Sequence, residues 1–166
     1  MFVYTVGMVD ISRRKFLRGD FSVRKVVVRP PWARAEAAFL AACTRCCDCI
    51  NVCPQHILVM DKEARPIVDF SRAECTFCGE CVDACRPQAL EKKAGALPWQ
   101  FKAQIQNNCL AKANVVCRAC GDACAVQAIR FSPAPMTAAQ PVVDEGVCTG
   151  CGACYAPCPV QAIRIA

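Results

Sequence analysis

The chain has 166 residues, a formal net charge of +6 and 17 cysteines, against only 8 Phe, 2 Trp and 2 Tyr. Large side chains that sparse do not build a core able to hold by packing alone, and cysteine at about one residue in ten takes the chain out of the ordinary globular class. Disulfides would require an oxidising compartment and usually an even count; here the count is odd and the cysteines are bunched, so thiolate ligation of metal in a reducing cytoplasm is the expectation.

Residues 1–36 hold eight Lys/Arg against three Asp/Glu, leaving only +1 for residues 37–166. The basic charge therefore belongs to an N-terminal arm. Within it, "DISRRKFLRGDF" at 10–21 reads like the start of a twin-arginine export signal. Such a signal also needs an apolar segment before a cleavage site. Here Arg13 and Arg14 are followed by Lys15, Arg18, Asp20, Arg24, Lys25, Arg29 and Arg34 with a Pro-Pro pair among them, so no export is expected and the protein is placed in the cytoplasm. The arm then reads either as a docking element, with Arg13 and Arg14 as its partner-binding residues, or as a charged leader. The apolar stretch "AEAAFLAAC" at 35–43 is too short for a membrane span and carries Glu36. No zinc-finger spacing or basic helix with stacking aromatics accompanies the charge, so nucleic acid is not an expected partner.

From residue 37 the chain repeats itself, and the repeat sets the architecture. "CTRCCDCINVCP" spaces Cys43, Cys46, Cys49 and Cys53 as C-x2-C-x2-C-x3-C, with Pro54 after the last. "CTFCGECVDACRP" repeats the spacing at Cys75, Cys78, Cys81 and Cys85, and "CTGCGACYAPCP" at Cys148, Cys151, Cys154 and Cys158. A stretched version, "CLAKANVVCRACGDAC", has Cys109, Cys117, Cys120 and Cys124, the first displaced and the other three in register. The tails "CPQHIL", "CRPQAL", "CAVQAI" and "CPVQAI" predict a short apolar helical turn after each last cysteine. "PIVDF" and "PVVDE" predict strands, pairing with "ILVM" at 57–60 and "IRF" at 129–131.

This gives an α+β chain of two tandem bacterial-type 2[4Fe-4S] ferredoxin-like modules behind the basic arm: residues 37–92, a linker at 93–104, and residues 105–166. The spacing suits an iron–sulfur cube, which takes one thiolate per iron; in two-cluster ferredoxins the fourth cysteine of each run ligates the other cluster. Crossed ligation assigns Cys43, Cys46, Cys49 and Cys85 to cluster one and Cys75, Cys78, Cys81 and Cys53 to cluster two. In the second module Cys148, Cys151, Cys154 and Cys124 hold cluster three, and Cys109, Cys117, Cys120 and Cys158 cluster four. The expected cofactors are thus three or four 4Fe-4S clusters. The competing reading is structural zinc on paired CxxC motifs. Each oxidised cluster with its thiolates carries about −2, so four would leave a strongly dipolar molecule with a basic arm and an acidic body.

Cys47, beside Cys46, is read as an idle small residue, with an exchangeable ligand as the alternative. His56 is read as a polar helix-surface residue, and Trp32 and Trp99 as packing the arm and linker onto the modules.

The combination of "SRRKFLRG", "RPPW" at 29–32, "CTRCCDCINVC", two further regular motifs and one stretched motif resembles the NapF family, ferredoxin-type accessory proteins of periplasmic nitrate reductase systems, over essentially the whole chain. The resemblance implies a cytoplasmic partner of the precursor of the nitrate reductase catalytic subunit, assisting that subunit's iron–sulfur maturation before export. Cys47 and the longer start "MFVYTVGMV" depart from the family pattern. The other functional class is a polyferredoxin relaying electrons between redox enzymes. No nucleotide loop, catalytic triad or carboxylate pair is present, so an electron-transfer or maturation protein, not an enzyme, is expected.

Overall fold

A computed structural model describes residues 27–166; Arg13 and Arg14 lie outside the described residues. After the arm, "EAAFLAA" supplies strong helix formers with an acid in the first turn, and forms α1, Glu36–Ala42. It ends where Cys43 turns extended. Phe39 on this helix is fully buried. Arg29 lies over its ring at 5.0 Å and spans Glu36 and Asp61 with ion pairs of 2.9 and 3.0 Å, which ties the arm's base to the first module.

Among the described residues the remaining helices are single turns, each carrying the third cysteine of a motif: α2 (Asp48–Asn51), α3 (Glu80–Asp83) and α4 (Ala119–Asp122). Between the motifs of each module the chain forms a hairpin. In the first, β1 (Leu58–Met60) pairs antiparallel with β2 (Pro66–Val68), Leu58 opposite Val68. The Asp61 carboxylate closes its turn by accepting from the N–H groups of Glu63 and Arg65 at 2.8 and 2.9 Å. In the second, β4 (Ile129–Ala134) pairs with β5 (Thr137–Val143), Ile129 opposite Val143. Both hairpins use the segments that the β-branched runs indicated.

A third ladder was not anticipated. β3 (Ala103–Ile105) pairs with β6 (Ile163–Ile165) at the far edge of module two. Its strand comes from the end of the stretch expected to be linker. The counterpart in module one is a single bridge between Ala33 and Leu90. Residues that charge had placed with the arm are drawn into that module: Val28, Pro30 and Trp32 are buried, and Val68 donates its N–H to the Val28 carbonyl at 2.8 Å.

The apolar residues after each fourth cysteine form a tight turn running into a strand or bridge, not the helical turn expected. His56, Gln88, Gln127 and Gln161 all take left-handed φ values of 49–55°. Each donates its N–H to the carbonyl of the fourth cysteine three residues back, at 2.9–3.1 Å. The next residue (Ile57, Ala89, Ala128 or Ala162) is almost fully buried. His56 is thus a turn residue, not a helix-surface one.

The modules share one core. Trp99 sits between them, its ring 5.9 Å from Phe70 and 5.5 Å from Phe77, and it donates its indole N–H to the Thr149 carbonyl at 3.1 Å. Cys75 donates its N–H to the Cys151 carbonyl across the junction at 2.8 Å. Phe70 lies against Gly152, where an added Cβ would stand 2.0 Å from the ring.

Gly152→Ala should therefore lower the thermal midpoint of the loaded protein well beyond Gly95→Ala. Both glycines are left-handed, at φ +86° and +74°, but Gly95 has nothing within 4 Å. The left-handed strain costs about 1 kcal/mol at each site, and overpacking against Phe70 adds about 1–3 kcal/mol at Gly152 only. Equal losses in paired scans at one heating rate would show that Phe70 does not depend on that glycine.

Candidate metal centre

Three successive cysteines can face one point only if the backbone reverses between them. In the regular motifs it does so with left-handed residues. Arg45, Phe77 and Gly150 hold φ of 62°, 55° and 75° before the second cysteine. Cys47, Gly79 and Gly152 hold 67°, 92° and 86° after it. The single turns α2 and α3 then place the third cysteine, and Cys49 and Cys81 are buried.

The structure gathers the thiols into four cavities. One, about 400 Å³ of atom-free space partly open to solvent, is lined by Cys43, Cys46, Cys49 and Cys85, with Cys47 at its edge. A second, about 350 Å³, is lined by Cys53, Cys75, Cys78 and Cys81 and is walled by Pro31 and Trp32. A third, about 310 Å³, holds Cys124, Cys148, Cys151 and Cys154. The fourth, about 340 Å³, holds Cys109, Cys117, Cys120 and Cys158. In every case one cysteine comes from the partner motif of the same module.

The displaced Cys109 reaches its cavity because the seven residues after it coil against β5. Ala113 donates to the Cys109 carbonyl at 3.0 Å, and Val115 to that of Leu110 at 2.8 Å. Asn114, left-handed at φ 66°, accepts from the Ala138 N–H at 2.6 Å, while the Gln140 amide donates to the Ala111 carbonyl at 2.8 Å. The insertion is absorbed as a packed turn.

Burial pushes the Cys49 thiol up to about 12, with Cys85, Cys46 and Cys43 adding negative charge nearby. Burial does the same to Cys81, also to about 12, helped by Cys75, Cys49, Cys78 and Cys53. Cys154 reaches about 12 through burial and the nearness of Cys151, Cys148 and Cys120. Cys75 and Cys120 are raised to about 11, again first by burial. Thiols crowded this way stay protonated at neutral pH without a cation among them, so metal entry must displace protons.

Among the described residues, no three Cys, His, Asp or Glu side chains converge closely enough to hold a single metal ion. A tetrahedral zinc needs four sulfurs each about 2.3 Å from one ion. A cube instead puts each thiolate on its own iron, and four thiols spread around a cavity suit that group. Backbone N–H groups also point at sulfur: Ala103 to Cys148 at 3.5 Å, Ala128 to Cys124 at 3.3 Å and Ala162 to Cys158 at 3.1 Å. The curled loops lead one to expect backbone N–H groups aimed at sulfur, but not which ones; the recurring Gln-Ala after the fourth cysteine was the signal for two of them.

Cys47 occupies the position that glycine fills in the second and fourth motifs. Its sulfur contacts the Arg45 carbonyl at 3.4 Å and the Met60 sulfur at 3.6 Å.

Comparison with known proteins agrees with this picture. A family described as "4Fe-4S dicluster domain" matches residues 42–90, and another of the same description matches residues 115–162. The chain is 44% identical over 166 residues to the "Ferredoxin-type protein NapF" of Haemophilus influenzae, covering 94% of each chain. It is 41% identical over 155 residues to the protein of the same name from Escherichia coli K12, covering 93% of this chain and 94% of that one. A "Methylamine utilization ferredoxin-type protein MauM" from Methylobacillus flagellatus is 32% identical over 168 residues, 90% of this chain and 72% of that one.

Cys47→Gly should leave iron and acid-labile sulfide per chain unchanged and raise stability by about 1 kcal/mol, because glycine takes a left-handed φ without strain. A drop in iron on this substitution would make Cys47 a ligand.

Proposed function

The chain belongs to the NapF family of ferredoxin-type proteins, and on that premise we propose that it binds the cytoplasmic precursor of the periplasmic nitrate reductase catalytic subunit and assists its maturation, through iron–sulfur assembly or electron supply, before export. It is an iron–sulfur protein of two tandem dicluster ferredoxin domains carrying 4Fe-4S clusters. Such clusters accept and release one electron at a time. We assign their ligands by cavity: Cys43, Cys46, Cys49 and Cys85; Cys75, Cys78, Cys81 and Cys53; Cys148, Cys151, Cys154 and Cys124; and Cys109, Cys117, Cys120 and Cys158. Residues 37–92 and 105–166 are the corresponding modules.

The observation that carries the accessory role is where the arm begins. Pro31 and Trp32, at its base, line the cavity of Cys53, Cys75, Cys78 and Cys81. Trp32 is fixed there by its N–H to the Pro98 carbonyl at 2.7 Å and by accepting from the Glu91 N–H at 2.9 Å. A partner gripped through Arg13 and Arg14 is thereby tethered beside a cluster site, whereas a simple relay has no use for such a leader. Among the described residues no helix is long and apolar enough to cross a membrane.

Two experiments test this. Cys53→Ala should damage the cluster of Cys75, Cys78 and Cys81 and spare that of Cys43, Cys46 and Cys49, in a wild type holding about 12–16 iron atoms; spectra showing the opposite loss, or stoichiometric zinc, would reject the ligand sets. Arg13→Lys with Arg14→Lys should weaken capture of the reductase precursor, and the double alanine variant should weaken it further, both with iron content intact. Undiminished capture by the alanine variant would remove the arm from docking and leave the polyferredoxin reading.

A further inference from the structure

We propose that the site of Cys124, Cys148, Cys151 and Cys154 has the most positive reduction potential in the chain and is the first to be reduced. This rests on the ligand sets assigned above. The groups responsible are Lys102 and the N–H groups of Ala103 and Ala128.

Reducing a 4Fe-4S centre adds one negative charge to a site that four thiolates already make negative. Hydrogen bonds to the sulfurs, or a fixed positive charge beside them, ease that addition. The shortest N–H···S bonds among the described residues fall in module two, and two of them serve this one site: Ala103 to Cys148 at 3.5 Å and Ala128 to Cys124 at 3.3 Å. In module one the Phe77 N–H is directed at Cys75. Lys102 adds a charge. Its ammonium donates to the Cys148 carbonyl at 2.5 Å, and its backbone is locked by paired bonds with Ala166 at 2.9 and 3.0 Å. The neighbouring site of Cys109, Cys117, Cys120 and Cys158 receives the bond from Ala162 to Cys158 and the Gly121 N–H directed at Cys120, so the lysine is what sets the two sites apart.

Two features of module one act in the same sense there. Lys92 approaches Gly79 and lies over the Trp32 ring, and Cys46 and Cys78 are open to water. Lys92 is exposed, so solvent and salt screen it. Lys102 is half-buried, where a charge acts through a lower dielectric, and it is joined at one site by two sulfur-directed N–H groups. The balance favours module two.

A route between the modules exists in the 2.8 Å bond from the Cys75 N–H to the Cys151 carbonyl, which joins a ligand of one site to a ligand of the other. With clusters held by Cys53, Cys75, Cys78 and Cys81 and by Cys124, Cys148, Cys151 and Cys154, one electron lost by the first on its oxidation would be gained by the second on its reduction. No proton moves and no covalent bond changes.

The test is an anaerobic redox titration of the loaded full-length protein with a low-potential one-electron reductant, followed by electron paramagnetic resonance. The first signal to grow should be the one that Cys151→Ser perturbs. Lys102→Met should shift that signal to more negative potential, and Lys102→Arg should leave it near the wild-type value. Iron and acid-labile sulfide, measured on every variant, keep two failures apart. Full content with the first signal unmoved by Lys102→Met overturns this inference alone; two clusters or fewer in the wild type overturns the ligand sets beneath it. If Lys102→Met does not load, the wild-type order decides, because a first signal perturbed by Cys46→Ser or Cys78→Ser instead of Cys151→Ser overturns the inference.

Discussion

The left-handed backbone turns that flank the second cysteine of each regular motif govern the rest of the structure. To bring three thiols and several N–H groups to one point, the chain must reverse every three residues, and that reversal forbids long regular elements. α2, α3 and α4 are single turns, and β1, β2, β3 and β6 are three residues each. Isolated helices of that length are not stable in water. Nor does the apolar core make up the deficit, since its largest fully buried side chains are Phe39, Ile57 and Pro30. What is left to hold the modules is metal–thiolate bonding. Because several thiols are pushed to about 11 or 12 by burial, loading is coupled to proton release as well as to folding.

The same turn explains which residues the chain tolerates at its tightest points. Gly79 and Gly152 take the position after the second cysteine without strain, and Cys47 takes it with strain. At Gly152 the missing side chain has a second use, admitting the Phe70 ring. One glycine thus shapes a cysteine loop and seats the junction between modules. That economy is available because both modules are built on one repeat, so the loop that binds in one can serve as a surface against the other.

Much of this was legible in the sequence because spacing is a local property. The motif period gave two modules, and β-branched runs beside the prolines gave both hairpins in their observed pairing. The β3–β6 ladder was hidden because "AQI" and "IRI" are too short to show alternation and lie about 60 residues apart, so only tertiary pairing defines them. Charge was a poor guide to the arm's extent: Arg29 looks like part of a basic leader, yet it is nearly buried between Glu36 and Asp61. The N–H···S donors were invisible for a different reason. Backbone amides carry no residue identity, and only the buried alanines that follow the turns betray two of them.

The arm's base and the second cluster cavity share a wall, and on the proposed reading this makes docking and metal content interdependent. Trp32 holds its place through backbone bonds to Glu91 and Pro98, next to the Ala33–Leu90 bridge, and through an indole N–H reaching the Ala96 carbonyl at 3.4 Å. Trp32 also lines the cavity beside Cys75, Cys78 and Cys81, and with this little core the shape of that loop depends on the thiolates being tied together. A chain without its clusters would therefore lose the ordered base from which the arm extends. On the proposed reading, a partner engaged through Arg13 and Arg14 meets a well-anchored arm only when module one is loaded, so the geometry itself selects loaded copies for the encounter.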